Sequence, residues 1–352
     1  MEGLSIVICC HNGASRLPTT LAHLKEQEPP GAPWEVLLVD NGSTDDTAAI
    51  ARSCWQDGPA PLRIVYESRL GTGYARERGF REARYSFIGF VDDDNWVARH
   101  WVRLAHEIMS SDPRLGAVGS LRMPACEVPS PSWFDQHHET YAILTEQDLE
   151  RMQDPPVYLP TAGLCVRKEA WQELVHGGVR WLLSGSVGQV QLGGEDVELT
   201  IMLRSYGWKL HIDPRLRMQH FMPKQRLQWT YFRRLMRNYS STVVLDAYSE
   251  HSLSLKAGLR QRISDWWWYQ LGRTLVKLAR QPGAVLAALT SAAEGRYDVS
   301  QVEHLVGRAL GFLRSRGRYG ASRRMVREAS WRRLSHPDSQ PKRVPDSAAS
   351  TV

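Results

Sequence analysis

This 352-residue chain has no long apolar run. Its longest, such as Ala284 to Leu289, fall well short of the ~20 residues that a helix needs to cross a bilayer, so nothing in it is expected to span a membrane. Cysteine is scarce: Cys9, Cys10, Cys54, Cys126 and Cys165 form an odd set with no Cys-x-x-Cys spacing. They read as reduced core thiols and place the chain in a reducing, cytoplasmic compartment rather than in a disulfide framework. A basic, apolar, small-residue leader is missing too, because a strand-like run begins almost at once. Glycine and proline are not in excess, and 42% hydrophobic with 23% charged residues excludes disorder over most of the length. Nor does a G-x-G-x-x-G turn follow the first strand, as a dinucleotide-dependent dehydrogenase requires. The glycines of LGTGYARERG at 70–79 come after the third strand at the wrong spacing.

What is present is an alternating α/β pattern. LSIVICC at 4–10 and WEVLLVD at 34–40 are continuous β-branched runs closed by polar turns, the pattern of strands buried on both faces. LRIVYE at 62–67 and SFIGFVD at 86–92 give two more strands. Helices are expected from Pro18 to Glu28, after Ser43, Thr44 and Asp45 with their cap oxygens, and from Gly73 to Arg84. Strands and helices in this order build a parallel sheet, and such sheets bind ligands beyond the carboxyl ends of their strands. Those ends carry Cys10, His11 and Asn12; then Asp40, Asn41, Gly42 and Ser43; then Asp92, Asp93 and Asp94. Three consecutive carboxylates repel by roughly 1 kcal/mol per pair even in water, so a cation is expected to offset them. Hard oxygen ligands suit Mg²⁺ or Mn²⁺, which in turn hold phosphates.

In order along residues 3–230, SIVICCHN, VLLVDNGSTDDT, GTGYARERGFREA, FVDDDN, LPTAGLCVRKEAW and GGEDVELTIMLRSYGWKL resemble the family 2 inverting glycosyltransferases of the GT-A fold, which use nucleotide-sugar donors. The resemblance implies a Rossmann-like mixed sheet over residues 1–240. It implies that Asp40, with the first-strand turn of Cys10, His11 and Asn12, contacts the base and ribose of the nucleotide, and that Arg76 faces the nucleotide or its diphosphate. Asp92 and Asp94 match the D-x-D carboxylates, Asp94 as metal ligand and Asp92 shared with the ribose; Asp93 is the spacer within this donor site. His220 matches a histidine near the metal or diphosphate, and Gly163 a turn where backbone approaches the sugar. Asp196 matches the catalytic base, with Glu195 orienting it or binding a hydroxyl. The implied reaction moves one sugar from a nucleotide-sugar, UDP favoured over GDP or dTDP, to a carbohydrate or lipid-linked acceptor, with Mn²⁺ or Mg²⁺ as cofactor. Surface polysaccharide or glycolipid synthesis is the implied setting.

Departures from the pattern are Arg69 and Glu77 in place of asparagines. QRLQW at 225–229 also lacks the arginine expected at its fourth place in processive synthases, which points to single-sugar addition; Arg226, Arg233 and Arg234 remain candidates to assist the diphosphate. The stretch GSVGQVQLGG before Glu195 has lid character. Residues 241–335 form a helical, basic extension, and 336–352 a Pro/Ser tail expected to be disordered. DWWWYQLGRTLVKLA at 265–279 suggests either peripheral contact with the inner membrane face or tryptophans packed on the catalytic domain. The arginine-rich end reads as a solvated helix, so nucleic acid is not an expected partner. A nucleotidyltransferase and a non-catalytic carbohydrate- or nucleic-acid-binding relative are the competing readings; the first wants a richer phosphate loop than HNGASRLP, and the second should have lost a carboxylate.

Overall fold

The structure, a computed structural model, describes residues 1–152, 156, 158–179, 181–183, 194–248, 263–290 and 293–329. The first half alternates strictly: β1 (Leu4–Cys10), α1 (Leu17–Lys25), β2 (Trp34–Asp40), α2 (Thr47–Cys54), β3 (Leu62–Tyr66), α3 (Thr72–Glu82), β4 (Phe87–Phe90). Then come β5 (Asn95–Val97), α4 (Trp101–Ser111), the long β6 (Leu115–Cys126), α5 (Phe134–His137), α6 (Glu146–Arg151), β7 (Leu164–Arg167), α7 (Lys168–His176), α8 (Glu195–Ser205), β8 (Lys209–Met222) and α9 (Trp229–Ser240). The strands form one sheet in the order β3-β2-β1-β4-β7-β6-β8-β5. β1 pairs in parallel with β2 and β4, whereas β7 runs antiparallel between β4 and β6, and β5 antiparallel to β8.

Alternation along β1 divides the core. Leu4, Ile6 and Ile8 pack with Leu17, Leu21 and Leu24 of α1 and with Trp101, Val102 and Ile108 of α4. Val7, with Leu37 and Val39, faces Phe80 of α3, Trp171 and Leu174 of α7, and Leu199 and Leu203 of α8. Helices therefore cover both faces, and the apolar runs need no polar alternation.

Three local expectations shift. α1 ends at Lys25 rather than Glu28, because Gln27 leaves the helix to donate to the Ala98 carbonyl and accept from the Val102 amide. β4 ends at Phe90, because Asp92 and Asn95 close a turn: the Asn95 amide donates to Asp92 O at 3.0 Å and the Asp92 amide to Asn95 Oδ1 at 3.2 Å. The N-cap residue of α2, Asp46, makes no side-chain capping bond; Asp45 instead accepts from the Thr47 amide and from the Ala14 amide, tying the first-strand turn to the helix.

Beyond Ser240 the described chain is helical: Val243–Tyr248 is a 3₁₀ turn, followed by helices Trp267–Ala279, Pro282–Ala288, Tyr297–Arg314 and Tyr319–Glu328. Helix Tyr297–Arg314 lies directly on α9: a Cβ on Gly307 would meet the Arg237 carbonyl at 2.4 Å, and one on Gly311 the Ser241 carbonyl at 2.4 Å. Of the lid stretch only Gly194 lies within the described residues, and the Pro/Ser tail lies wholly outside them.

Candidate active site

Each of the three aspartates has a different environment. Asp93 is gripped by Arg16, whose Nη2 lies 2.6 Å and Nε 3.2 Å from its two oxygens, and it accepts from the Cys10 thiol at 3.1 Å. Burial and the adjacent Asp93 both push that thiol far above its ordinary range. The Asp94 carboxylate lies 3.0 Å from Arg226 Nη1 and 3.6 Å from His220 Nε2, and accepts from Asn95 Nδ2 at 3.0 Å. Burial raises the Asp94 carboxyl, but His220 and Arg226 outweigh it and hold the group below the usual carboxylate range. The Asp92 carboxylate makes no side-chain hydrogen bond among the described residues. Burial pushes it up to about 6, Arg76 pulls it down and Asp94 pushes it up further.

His220 is brought to Asp94 by strand pairing, since Asn95 on β5 is in register with His220 on β8. Its Nδ1 lies 3.1 Å from the Tyr141 carbonyl, so in the neutral ring the proton sits on Nδ1 and the Nε2 lone pair turns toward Arg226 and Asp94. A carbonyl behind Nδ1 is the arrangement that orients a metal-ligating imidazole.

α8 starts at Gly194, whose φ of 114° is open to glycine alone at little cost, and its first turn carries Glu195, Asp196 and Glu198 at the positive end of the helix dipole. Glu195 Oε1 accepts from Arg76 Nη1 at 2.6 Å and from Thr72 Oγ1 at 2.5 Å. Asp196 accepts from the Thr161 amide at 3.3 Å and the Val197 amide at 2.8 Å, and remains partly open. Glu198, fully buried, accepts from the Leu182 and Leu183 amides and from the Tyr248 hydroxyl; burial raises it to about 7 against those donors.

A cavity of about 470 Å³ opens over the strand ends. Of the expected donor-site and metal residues, His11, Arg76, Asp92, Asp93, Asp94 and His220 line it. Cys10, Asn12, Asp40 and Gly163 are not on its wall. Asp40 accepts from the Ser43 amide, the Asn12 amide donates to the Ser43 hydroxyl and Asn12 Oδ1 accepts from the Thr44 amide, and together they brace the turns that carry His11. Gly163 has φ of 66°, and a Cβ there would meet Met218 Sδ at 2.4 Å, so packing against β8 accounts for the glycine. Glu195 and Asp196 line neighbouring space: Arg76 stands between the first cavity and a second that contains both acids, and Asp196 between that and a third.

Other residues at the site drew little or no notice in the sequence. Asn41 holds the 67–71 loop by donating to the Glu67 and Arg69 carbonyls and accepting from the Gly71 amide. Arg16 and Arg226 neutralise two of the aspartates, whereas Arg233 turns to Glu303 and the Ala288 carbonyl in the helical extension. Among the described residues, no group of three or more His, Cys, Asp or Glu side chains is gathered closely enough to hold a metal ion.

The sheet order and the position of the cleft define a GT-A type glycosyltransferase fold, and a mannosyltransferase from Pyrobaculum calidifontis, solved with GDP-mannose and Mn²⁺, shares it: TM-score 0.56 and 18% identity over 89% of this chain and 86% of that one. Residues 5–174 match the glycosyl transferase family 2 model, and through that segment the chain belongs to this family. A chondroitin synthase of Escherichia coli is 31% identical over 123 residues, 34% of this chain and 17% of that protein. A hyaluronan synthase of Pasteurella multocida is 33% identical over 119 residues, 33% of this chain and 12% of that protein. The matches thus cover less than a fifth of the length of either polymer synthase.

Proposed function

We propose that the chain transfers a single sugar from a nucleotide-diphospho-sugar to an acceptor hydroxyl with inversion at the anomeric carbon. The observation that carries this reading is the arrangement of two cavities, one lined by Arg76, Asp92, Asp94 and His220 and the other by Asp196, which meet at Thr140, Ala142 and Tyr239. A donor in the first and an acceptor in the second would meet at that junction. Asp196 takes the proton of the acceptor hydroxyl as the hydroxyl oxygen bonds to the anomeric carbon; the bond from that carbon to the diphosphate oxygen breaks, and the nucleoside diphosphate leaves with the electron pair. Attack from the side opposite the diphosphate inverts the carbon. Arg76, held by Glu195, faces the diphosphate with a fixed positive charge.

Asp94 and the Nε2 of His220 are two donors suited to Mn²⁺ or Mg²⁺, with donor phosphates as the remaining ligands. The ion would supply Lewis-acid stabilisation of the leaving diphosphate.

UDP-sugars are the favoured donors, and a polysaccharide or glycolipid the product, in keeping with the polymer synthases among the relatives. Single-sugar addition accords with the altered QRLQW segment. No helix among the described residues is long and apolar enough to cross a membrane. Contact with the cytoplasmic face of a membrane is supported by helices 267–289. Half of the large apolar side chains exposed among the described residues fall between Trp266 and Leu313. Residues 267–289 carry Arg273, Lys277 and Arg280 and no acid, the composition of an interfacial face toward anionic lipid.

The test is nucleotide release from UDP-, GDP- and dTDP-sugars with Mn²⁺, Mg²⁺ or EDTA, with donor binding recorded in the same samples. Metal-dependent release from one donor, lost in Asp196→Asn while binding persists, is the expected result. Absence of both binding and release with every donor would leave the non-catalytic reading in its place.

A further inference from the structure

Arg122, on β6, is only 4% exposed, yet it has no ion-pair partner among the described residues. Its Nε donates to the Ala142 carbonyl and its Nη1 to the Ser120 carbonyl at 2.7 Å, two of the five N–H donors a guanidinium carries. The carboxylate that acts on it is Asp196, beyond ion-pair distance, and burial draws the guanidinium down to about 10. A cation buried without a counter-ion costs several kcal/mol, and clamping two carbonyls could be done by a neutral donor. Arg122 lines the third cavity, of about 680 Å³, together with Asp196. The rest of that wall mixes apolar side chains, Leu144, Leu159 and Met236 among them, with the acids Glu139, Asp148 and Asp246, of which Asp148 is paired with His138 and Asp246 with Arg308.

We propose that this cavity is the acceptor subsite and that it takes an alcohol whose apolar body carries a carboxylate or phosphate, the anion pairing with Arg122 while the hydroxyl reaches Asp196. The assignment rests on the glycosyl-transfer reading for its hydroxyl end and on Arg122 alone for its anionic end. An anion here supplies the counter-charge that Arg122 lacks, and a charge-assisted pair with so buried a guanidinium discriminates against a neutral analogue by at least about tenfold.

The test is equilibrium binding of decyl phosphate, decanoate and decanol, below their aggregation limits, to the full chain and to Arg122→Gln and Arg122→Lys. Support is an advantage of about tenfold or more for one or both anions over decanol, lost in Arg122→Gln and largely kept in Arg122→Lys, with decanol affinity unchanged across the three. The two anionic arms separate a carboxylate from a phosphate ligand. Equal binding of anions and alcohol, or an advantage that survives Arg122→Gln, overturns the proposal and leaves glycosyl transfer standing, since donor binding is measured separately. Anion binding at Arg122 in a chain that binds no nucleotide-sugar overturns both the transfer reading and the acceptor role.

Discussion

The cleft over the strand ends and the cavity beside it handle charge in opposite ways. In the cleft, Asp93 is paired with Arg16 and Asp94 with Arg226, and Arg76 at its edge is held by Glu195 from the adjoining space, so that of the three aspartates Asp92 alone lacks a close cation. In the neighbouring cavity Arg122 is buried with no acid in reach of a pair. Prepaired charges hold a site in shape before a ligand arrives and exchange partners when it does. An unpaired buried charge instead leaves part of its stabilisation to the ligand, which gives selectivity at the expense of the empty state.

The contrast is most directly broken at the junction of the two cavities. Asp196→Asn should lower single-turnover transfer by ~10²–10⁴-fold while changing donor affinity little, as expected of a base that touches only the acceptor. An equal loss in donor affinity would move Asp196 into the donor site. Next in size is Arg76→Met, which leaves the half-buried Glu195 without its cation and should cost about 3 kcal/mol in urea unfolding. Arg122→Met orphans two carbonyls but no carboxylate and should cost about 1–3 kcal/mol. If the two variants prove equally unstable, the distinction between paired and unpaired charge fails.

A third prediction concerns Glu198, which anchors Leu182, Leu183 and Tyr248 to α8. Its folded value of about 7 lies above the ordinary 4.5, so the folded state holds the proton more tightly. Its contribution is fully present below pH 4.5 and is lost as pH rises through 7. Relative to Glu198→Gln, the wild type should therefore lose on the order of 3 kcal/mol across that window, read from denaturation midpoints at several pH values. A flat difference would mean that the three donors keep Glu198 ionised. The smallest effect is expected at the surface: Trp268→Ser with Leu275→Ser should shift stability by no more than ~0.5 kcal/mol, yet reduce flotation with anionic vesicles several-fold. Unchanged flotation would remove the membrane contact.

How much of this was legible in the chain follows from the range of each interaction. β1, β2 and the carboxylate turn at 92–94 announce themselves locally, because a strand buried on both faces must be apolar and its end must be polar. The antiparallel insertion of β7 between β4 and β6 leaves no local trace, since LCVR would suit either direction. Arg226 meets Asp94 across more than a hundred residues, and that meeting depends on β8 running 14 residues to pair with a three-residue β5. Arg122 was hidden for the opposite reason: in LGAVGSLRMPAC it looks like the polar residue that ends a buried run, and only the fold of the 138–144 segment over it shows that it is enclosed.

The β5–β8 ladder also has a mechanical meaning. The backbone that pins Asp94 at Phe221 runs through Arg226 into α9, and α9 carries helix Tyr297–Arg314 at backbone contact through Gly307 and Gly311. Close-packed interiors pass displacement along rather than absorbing it. Strand, helix and helix are thus one packed run, and where His220 and Arg226 stand beside the carboxylates is fixed in part from the C-terminal helices.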